Sequence, residues 1–161
     1  WKVFTESDIA RMSEVEEVSD LVSTMIYGLK GKSQPALNKA YKDNDEIFSV
    51  SKEITKRFNH VMNKIDETAG SILPTSAFTR SALFNSLFVF YYDLCYGLDS
   101  SLERLTPNTI DSSILNVVRT ASSRIESGKL SEELAKVLRG GTGNLESRKE
   151  RLEFIQGIHN A

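Results

Sequence analysis

The chain has 161 residues, 40% of them hydrophobic and 26% charged, which is typical of a globular protein with one substantial core. Its formal net charge of −2 excludes a surface that is basic throughout, so contact with nucleic acid requires a local basic patch. A single cysteine, Cys95, excludes an internal disulfide and a cysteine-rich zinc site, and it favours a cytoplasmic location.

The sequence begins at Trp1 rather than Met and shows no signal peptide. We therefore expect a single domain, residues 1–161, that is a piece of a longer protein. The most apolar run, residues 82–98, is interrupted by Asn85 and Asp93. It is too short and too polar for a membrane helix, so no membrane contact is expected.

Hydrophobic residues recur at helical spacing along the chain, and no segment alternates as a strand does. A capping-box pattern at Ser13 predicts a first helix that ends near Gly28. Pro35 predicts the start of a second helix, and a third is predicted over residues 50–68. The predicted inward face of the first helix consists of Val15, Val18, Leu21, Val22, Met25, Ile26 and Leu29.

The fourth predicted helix, residues 76–97, is apolar on nearly every side, and such a helix is normally buried. A fifth begins at Thr106 and stops at Gly128, a short sixth spans 131–140, and the last runs over 145–158. The predicted fold is an all-α, irregular bundle of about six or seven helices that surround the helix at 76–97.

The glycine-rich turn at 140–143 leads into a helix whose first turns carry three basic residues. Unpaired N–H groups at a helix N-terminus, with positive charge nearby, are typical of an anion or phosphate site. Asn144 or Thr142 is the expected N-cap. The candidate phosphate or DNA contacts are Arg139, Thr142, Arg148, Lys149 and Arg151. Two alternatives stay open: an exposed helix of mixed charge after a plain connector, or a salt link from one arginine to another part of the parent protein.

Catalytic motifs are absent from the sequence, which has no phosphate-binding loop, nucleophile elbow or zinc-protease motif. Arg57 and His60 are closer together than the catalytic pair of HEPN-type ribonucleases, so we interpret His60 as a surface histidine. Cys95 is expected to be a buried structural cysteine. The aromatic residues of the fourth helix are expected to pack in the core rather than stack bases. We predict no catalytic residue, metal or cofactor in this chain.

Acidic residues dominate the N-terminal helix: Glu6, Asp8, Glu14, Glu16, Glu17 and Asp20 stand against Arg11 alone. A solvated face is the expected explanation, with a contact to a basic partner as the alternative. The spacing is not that of a calcium loop.

Five segments follow one another in an order that resembles a known family. They are FTESDIARMSEVEEVSDL at 4–21, ITKRFN at 54–59, FTRSALF at 78–84, TGN at 142–144 and RKERLEFI at 148–155. This order is similar to the C-terminal helical half of the GmrS-like family, which is bacterial and carries an N-terminal ParB/sulfiredoxin-like domain. Arg80 and Arg151 match recurrent residues of the family, and the match assigns them no role.

The resemblance implies a part in modification-dependent restriction and anti-phage defence. It also implies that nucleotide-dependent nuclease chemistry belongs to the missing N-terminal domain, around a D-G-Q-x-R motif that this chain lacks. The expected function is thus a non-catalytic helical accessory domain that contacts DNA or the missing domain. The alternatives are a structural domain that self-associates through the apolar surface of the fourth helix, and a standalone helical ribonuclease.

Overall fold

The computed structural model describes residues 13–33, 50–98, 106–139 and 143–161, together with the single positions 3, 6, 7, 35, 38, 42 and 102. These residues form six α-helices and two 3-10 helices, with no β-strand among them. The α-helices are α1 (Ser13–Tyr27), α2 (Ser51–Ala69), α3 (Ser81–Tyr96), α4 (Ile114–Glu126), α5 (Glu132–Leu138) and α6 (Leu145–His159). The predicted all-α fold class is confirmed.

Helix α3 is the centre of the bundle. Twelve of its 16 residues are buried, and it packs against α1, α2 and α6. Since nearly every face of this helix is apolar, it can leave water only if other helices surround it. The prediction of a buried apolar helix is confirmed. Its aromatic side chains, Phe84, Phe88, Phe90, Tyr91, Tyr92 and Tyr96, all lie in the interior, as core packing requires.

Helices α2 and α4 bury the apolar stripes that their periodicity predicts. The buried positions are Ile54, Val61 and Ile65 on α2, and Ile114, Val117 and Val118 on α4. Two polar residues are buried with these stripes, Ser122 of α4 and Arg57 of α2, and Arg57 is fully buried. The burial of these two residues is a feature that the apolar stripe alone does not predict.

Helix α3 begins at Ser81, five residues after the start that we predicted. Residues 73–79 instead form the two 3-10 helices, Leu73–Thr75 and Ala77–Thr79. Ser76 separates them, since its extended backbone breaks the helical path and its hydroxyl accepts a bond from Phe78 N at 3.2 Å. Ser122 of α4 then fixes the segment by accepting from Ala77 N at 2.9 Å.

The predicted start of the fifth helix at Thr106 is wrong, because α4 begins at Ile114. Asn108 does not cap its own helix. Its backbone N donates to Cys95 O at 2.8 Å and its side chain donates to Leu94 O at 3.0 Å, so it caps the end of α3. The turn before α4 is made by Asp111, whose carboxylate accepts from Ser113 N at 2.7 Å.

Two glycines stop helices as predicted. Gly28 follows α1 with φ of 77°, and Gly128 lies beyond α4 with φ of 67°, a backbone region that glycine enters without steric penalty. Most of the helix predicted from Pro35 lies outside the described residues, as do Gly140, Gly141 and Thr142.

Candidate functional site

Arg148, in the first turns of α6, is the centre of a buried charge network. Its guanidinium donates to Asp20 Oδ1 at 2.9 Å, and to Thr24 Oγ1 and Asn85 Oδ1 at 3.2 Å each. Only 4% of Arg148 is exposed, and Asp20 is buried as well. Such a pair is tolerated because each charge is bonded by the other and by neutral groups, whereas either charge alone would be strongly unfavourable in the interior.

Asn85 of α3 extends the ion pair into a network. Its side-chain amide donates to Glu17 Oε1 at 2.6 Å and to Asp20 Oδ2 at 2.9 Å. Lys32 Nζ forms a salt bridge with Glu17 Oε2 at 3.2 Å. Every oxygen of the two carboxylates therefore accepts a hydrogen bond from α3, α6 or Lys32. The network joins the first, central and last helices of the described chain.

The expectations for α1 are wrong at four positions. Glu17 and Asp20, expected on a solvated face, are buried, whereas Val15 and Val18, expected inward, are 42% and 43% exposed. The inward face runs through residues 17, 20, 21, 24 and 25 at three- and four-residue steps. The polar network turns the N-terminal half of α1 toward Arg148 and Asn85.

The last helix shows the same inversion. The apolar Leu145 is exposed, and the connector-plus-exposed-helix alternative does not describe Arg148 and Arg151, which are buried. The inward stripe of α6 passes through 148, 151, 152 and 155. Tracing the stripe back from Leu152 and Ile155 by helical steps reaches both arginines, which is the signal that sequence reasoning missed. Arg148 forms a salt link, but with Asp20 of the same chain, and the alternative of a link to another part of the parent protein stays a prediction.

The last glycine of the glycine-rich turn allows two backbones to approach closely. Lys32 N donates to Gly143 O at 2.7 Å, and a Cβ at Gly143 would lie 3.0 Å from Lys32 Cβ. A Cβ at Gly31 would lie 3.3 Å from the backbone N of Leu145. Asn144 is the N-cap of α6, as predicted, with its side chain accepting from Ser147 N at 2.8 Å. The turn thus positions Lys32 beside the start of α6.

Arg80 and Arg151, the two residues that match the family pattern, bind the same helix end. Arg80 Nη1 donates to Leu138 O at 3.3 Å, and Arg151 Nη1 donates to Val137 O at 3.2 Å. Both carbonyls belong to the last turn of α5, where positive charge also offsets the helix dipole. Burial, and then the charge of Arg148, lower the pKa of the Arg151 guanidinium. These contacts give both arginines a structural role.

A cavity of about 160 Å³ opens beside this network, and we call it the inner cavity. It is lined by Glu17, Asp20, Lys32, Ser81, Ala82, Asn85, Gly143, Arg148 and Arg151. An outer groove of about 420 Å³ shares four of these residues and adds Val3, Ser13, Glu16, Thr79, Arg80 and Arg139. The two together form the charged cleft, and five cationic and three acidic side chains line it among the residues that the structure describes.

The structure places the predicted phosphate or DNA contacts in different surroundings. Arg148 and Arg151 are together in the inner cavity, and Arg139 is exposed at the outer groove. Lys149 is exposed and points away from the two buried arginines, as its helical position predicts. Thr142 lies outside the described residues. Sequence reasoning missed Asn85 as a site residue, although a polar residue inside a buried apolar helix signals that it has polar partners.

A second buried arginine, Arg57 of α2, lies near the other end of α3. Its Nε bonds to Glu53 Oε1 at 2.7 Å, Nη1 donates to Tyr92 OH at 3.2 Å, and Nη2 donates to Leu102 O at 2.8 Å. Its guanidinium carbon is 4.5 Å from the ring centre of Tyr96, a cation–π contact. Burial opposes the charge, but the bonds to Glu53 and Tyr92 outweigh it and raise the pKa of Arg57.

These contacts bear on the ribonuclease alternative. Arg57 is fully buried and each of its nitrogens has a partner within the chain, so its guanidinium is not exposed to an RNA phosphate. His60 is half-buried and its ring meets the ring of Tyr96 edge-on, with 5.9 Å between ring centres. The prediction of a surface histidine on a charged helix is therefore wrong in part. Burial, with the nearby charge of Lys64, lowers the pKa of His60.

Cys95 is buried in α3, as expected for a structural cysteine. Burial raises the pKa of its thiol to about 11, which disfavours the reactive thiolate. Within the described ranges, no cluster of three or more His, Cys, Asp or Glu side chains is arranged to hold a metal ion. None of the helices formed by the described residues is long and apolar enough to cross a membrane.

Comparison of the chain with protein-family models, with curated proteins and with solved structures gives no match. The similarity to the GmrS-like family stays a prediction that rests on the quoted segments.

Proposed function

We propose that this chain is a non-catalytic helical accessory module of a larger bacterial defence protein, and that its charged cleft contacts an anionic partner. DNA is the first candidate, and the cytoplasm is the location that goes with it. The observation that supports this proposal is the charge of the cleft. The described residues of its wall carry a net charge of +2 at neutral pH, from five cations and three carboxylates, although the whole chain has −2.

In this proposal the exposed cations of the cleft contact DNA, and the buried cations do not. Arg148 and Arg151 are 4% and 2% exposed, so the backbone of a duplex does not reach them. Arg139 is exposed at the outer groove and Arg80 is half-buried beside it. Two or three such contacts correspond to weak, sequence-independent binding that positions DNA rather than reads it.

A binding role also agrees with how the titratable side chains are used. Arg57, Arg148, Asp20 and Glu17 are each held by fixed partners within the chain. Groups that transfer protons need a pKa near the working pH and access to a reactant. In the proposal, chemistry is left to the missing N-terminal domain, which would dock beside this module.

The test is fluorescence anisotropy with a labelled DNA duplex at several salt concentrations. For two or three phosphate contacts, Kd should rise roughly 10- to 40-fold between about 50 and 200 mM salt. Arg139→Ala should weaken binding on any sequence and reduce the salt slope by about one. Arg119→Ala removes an equally exposed arginine of α4 outside the cleft and is the matched control.

Two results would count against the DNA contact. One is the absence of binding at about 50 mM salt, where electrostatic association is strongest. The other is equal binding by Arg139→Ala and Arg119→Ala, because a footprint on the cleft requires them to differ.

A structural interaction role is the second candidate, and exposed apolar residues on α1 favour it. The predicted route, through the surface of α3, has little basis because that helix is buried. Val15 and Val18 lie one helical turn apart and are the most exposed large hydrophobic side chains among the described residues. Self-association should appear as a mass that rises with concentration in light scattering and that falls to the monomer in Val15→Ser/Val18→Ser. A strict monomer at all concentrations would exclude it.

A further inference from the structure

We propose that the inner cavity is a binding site for one phosphoryl group, either inorganic phosphate or the phosphate of a small phosphomonoester. The inference goes beyond the proposed DNA contact, because a phosphate ion can enter the inner cavity whether or not a duplex binds the outer groove.

The first support is the balance of donors and acceptors in the cavity wall. Glu17 and Asp20 are the only carboxylates among the described residues of its wall, and all four of their oxygens already accept bonds from Asn85, Lys32 or Arg148. The wall also carries three cations. Since the acceptors are engaged and an ammonium or guanidinium has several N–H donors, the cavity suits a ligand that brings acceptors and negative charge.

Lys32 is the cation best placed to reach such a ligand. Its side chain is 31% exposed, it lines both the inner cavity and the outer groove, and its salt bridge to Glu17 engages one of three N–H donors. The close packing of its backbone against Gly143 fixes its position. Lys32 therefore stands at the entrance with donors to offer.

The start of α3 adds a second type of donor to this cationic wall. Ser81 and Ala82, its first two residues, line both the cavity and the groove. Their backbone N–H groups belong to the first helical turn, where no intrahelical acceptor exists, and Arg80 makes no side-chain cap. Together with Lys32, they could bind the oxygens of one phosphate from two sides.

The dimensions agree with a single phosphate. A volume of about 160 Å³ has room for one phosphate ion. The outer groove, at about 420 Å³, continues from the same residues and could accept the organic part of an ester. Inorganic phosphate and a phosphomonoester thus share the inner site and differ only in the groove.

The test titrates inorganic phosphate into the ¹⁵N-labelled chain at constant ionic strength, with chloride as the balancing anion, and follows amide shifts by NMR. We expect saturable shifts of Ser81 and Ala82 and a roughly ten-fold weaker Kd in Lys32→Gln. Lys64→Gln is the matched control. Lys64 is 33% exposed and pairs with one carboxylate, that of Glu67, but it lies on α2. The Lys64→Gln variant should bind phosphate with the same Kd as the wild type.

The outcomes are distinct. Shifts that do not saturate, or equal phosphate affinity in Lys32→Gln and the wild type, overturn the proposal. A nucleoside 5′-monophosphate that binds more tightly than inorganic phosphate identifies an ester as the ligand, and equal affinity identifies the ion. DNA anisotropy, measured separately, shows whether the proposed function survives a negative phosphate result. If the chain binds DNA but not phosphate, the proposed DNA contact stands and the phosphate site is excluded.

Discussion

Two arginines are buried near opposite ends of α3, and they differ in whether a cavity adjoins them. Arg57 is enclosed by Glu53, Tyr92, the Leu102 carbonyl and the ring of Tyr96, so its donors are consumed by the fold. Arg148 pairs with a carboxylate that is itself buried, in the wall of a cavity that opens to solvent. A buried charge by itself therefore says little about function. The useful distinction is whether a cavity with further donors adjoins it.

The largest expected effect is that of Arg148→Met. Removing the guanidinium leaves Asp20 buried without its charged partner, which should reduce the free energy of unfolding by about 3–5 kcal/mol. Urea denaturation followed by circular dichroism measures the change. The control, Lys149→Met, alters the neighbouring exposed residue and should change stability by less than about 0.5 kcal/mol.

A double-mutant cycle tests whether the loss arises from the stranded carboxylate. Asp20→Asn combined with Arg148→Met should be less destabilised than the sum of the two single variants, by about 1–3 kcal/mol. Strict additivity would show that Arg148 stabilises the fold by packing alone and would remove the difference between the two arginines.

Arg57→Met should reduce stability by a smaller amount, about 2–4 kcal/mol. The reason is the carboxylate that loses its charged partner, which is Glu53 in Arg57→Met and Asp20 in Arg148→Met. Glu53 has 23% of its side chain exposed and is more readily hydrated than Asp20, whose side chain is 7% exposed. The same urea measurement compares the two variants directly. If Arg57→Met reduced the free energy of unfolding by more than Arg148→Met does, the comparison would be reversed. The Arg57 cluster would then contribute more to stability than the Arg148 network.

The smallest effect concerns pH and the histidine next to the Arg57 cluster. Burial and the charge of Lys64, and to a lesser degree that of Lys56, lower the pKa of His60, while Glu67 opposes them. Its folded-state pKa lies below the unfolded value of about 6.5. His60 therefore contributes stability that is present above that pH and is lost as pH falls through the folded pKa.

The expected result is a fall in Tm from pH 7 to pH 5 that is larger in the wild type than in His60→Gln, measured by thermal denaturation in both buffers. His159→Gln removes the other histidine, which is exposed at the end of α6, and controls for the loss of an imidazole. If all three proteins lose the same amount, His60 is not the group responsible.

Much of the fold could be predicted from the periodicity of hydrophobic residues and from residues that stop helices. The all-α class, the buried helix and the stops at Gly28 and Gly128 follow from local rules on spacing and backbone freedom. The starts of α3 and α4 did not, because Ser76 caps the 3-10 helix Ala77–Thr79 instead of α3, and Asn108 bonds to the end of α3 instead of capping α4. Local patterns do not specify which carbonyl a capping side chain will find.

The charged cleft could be predicted only in part. The turn and basic helix indicated an anion site, and Arg148 and Arg151 do lie together at a cavity. Their burial was not predicted, because polar residues were assigned outward by default on both α1 and α6. The pairing of Asp20 with Arg148 spans 128 residues, and a single sequence has no local signal for so distant a contact.

That separation has a consequence for how the chain is made. During synthesis at about 5–20 residues per second, Asp20 is added to the chain roughly 6–25 seconds before Arg148. For that interval Asp20 lacks Arg148, its partner in the folded chain. We expect hydrated Glu17 and Asp20 to keep the emerging helix soluble, at the stage when exposed apolar segments tend to aggregate. Glu17 and Asp20, which stabilise the folded chain, are thereby also expected to protect the incompletely synthesised chain from aggregation.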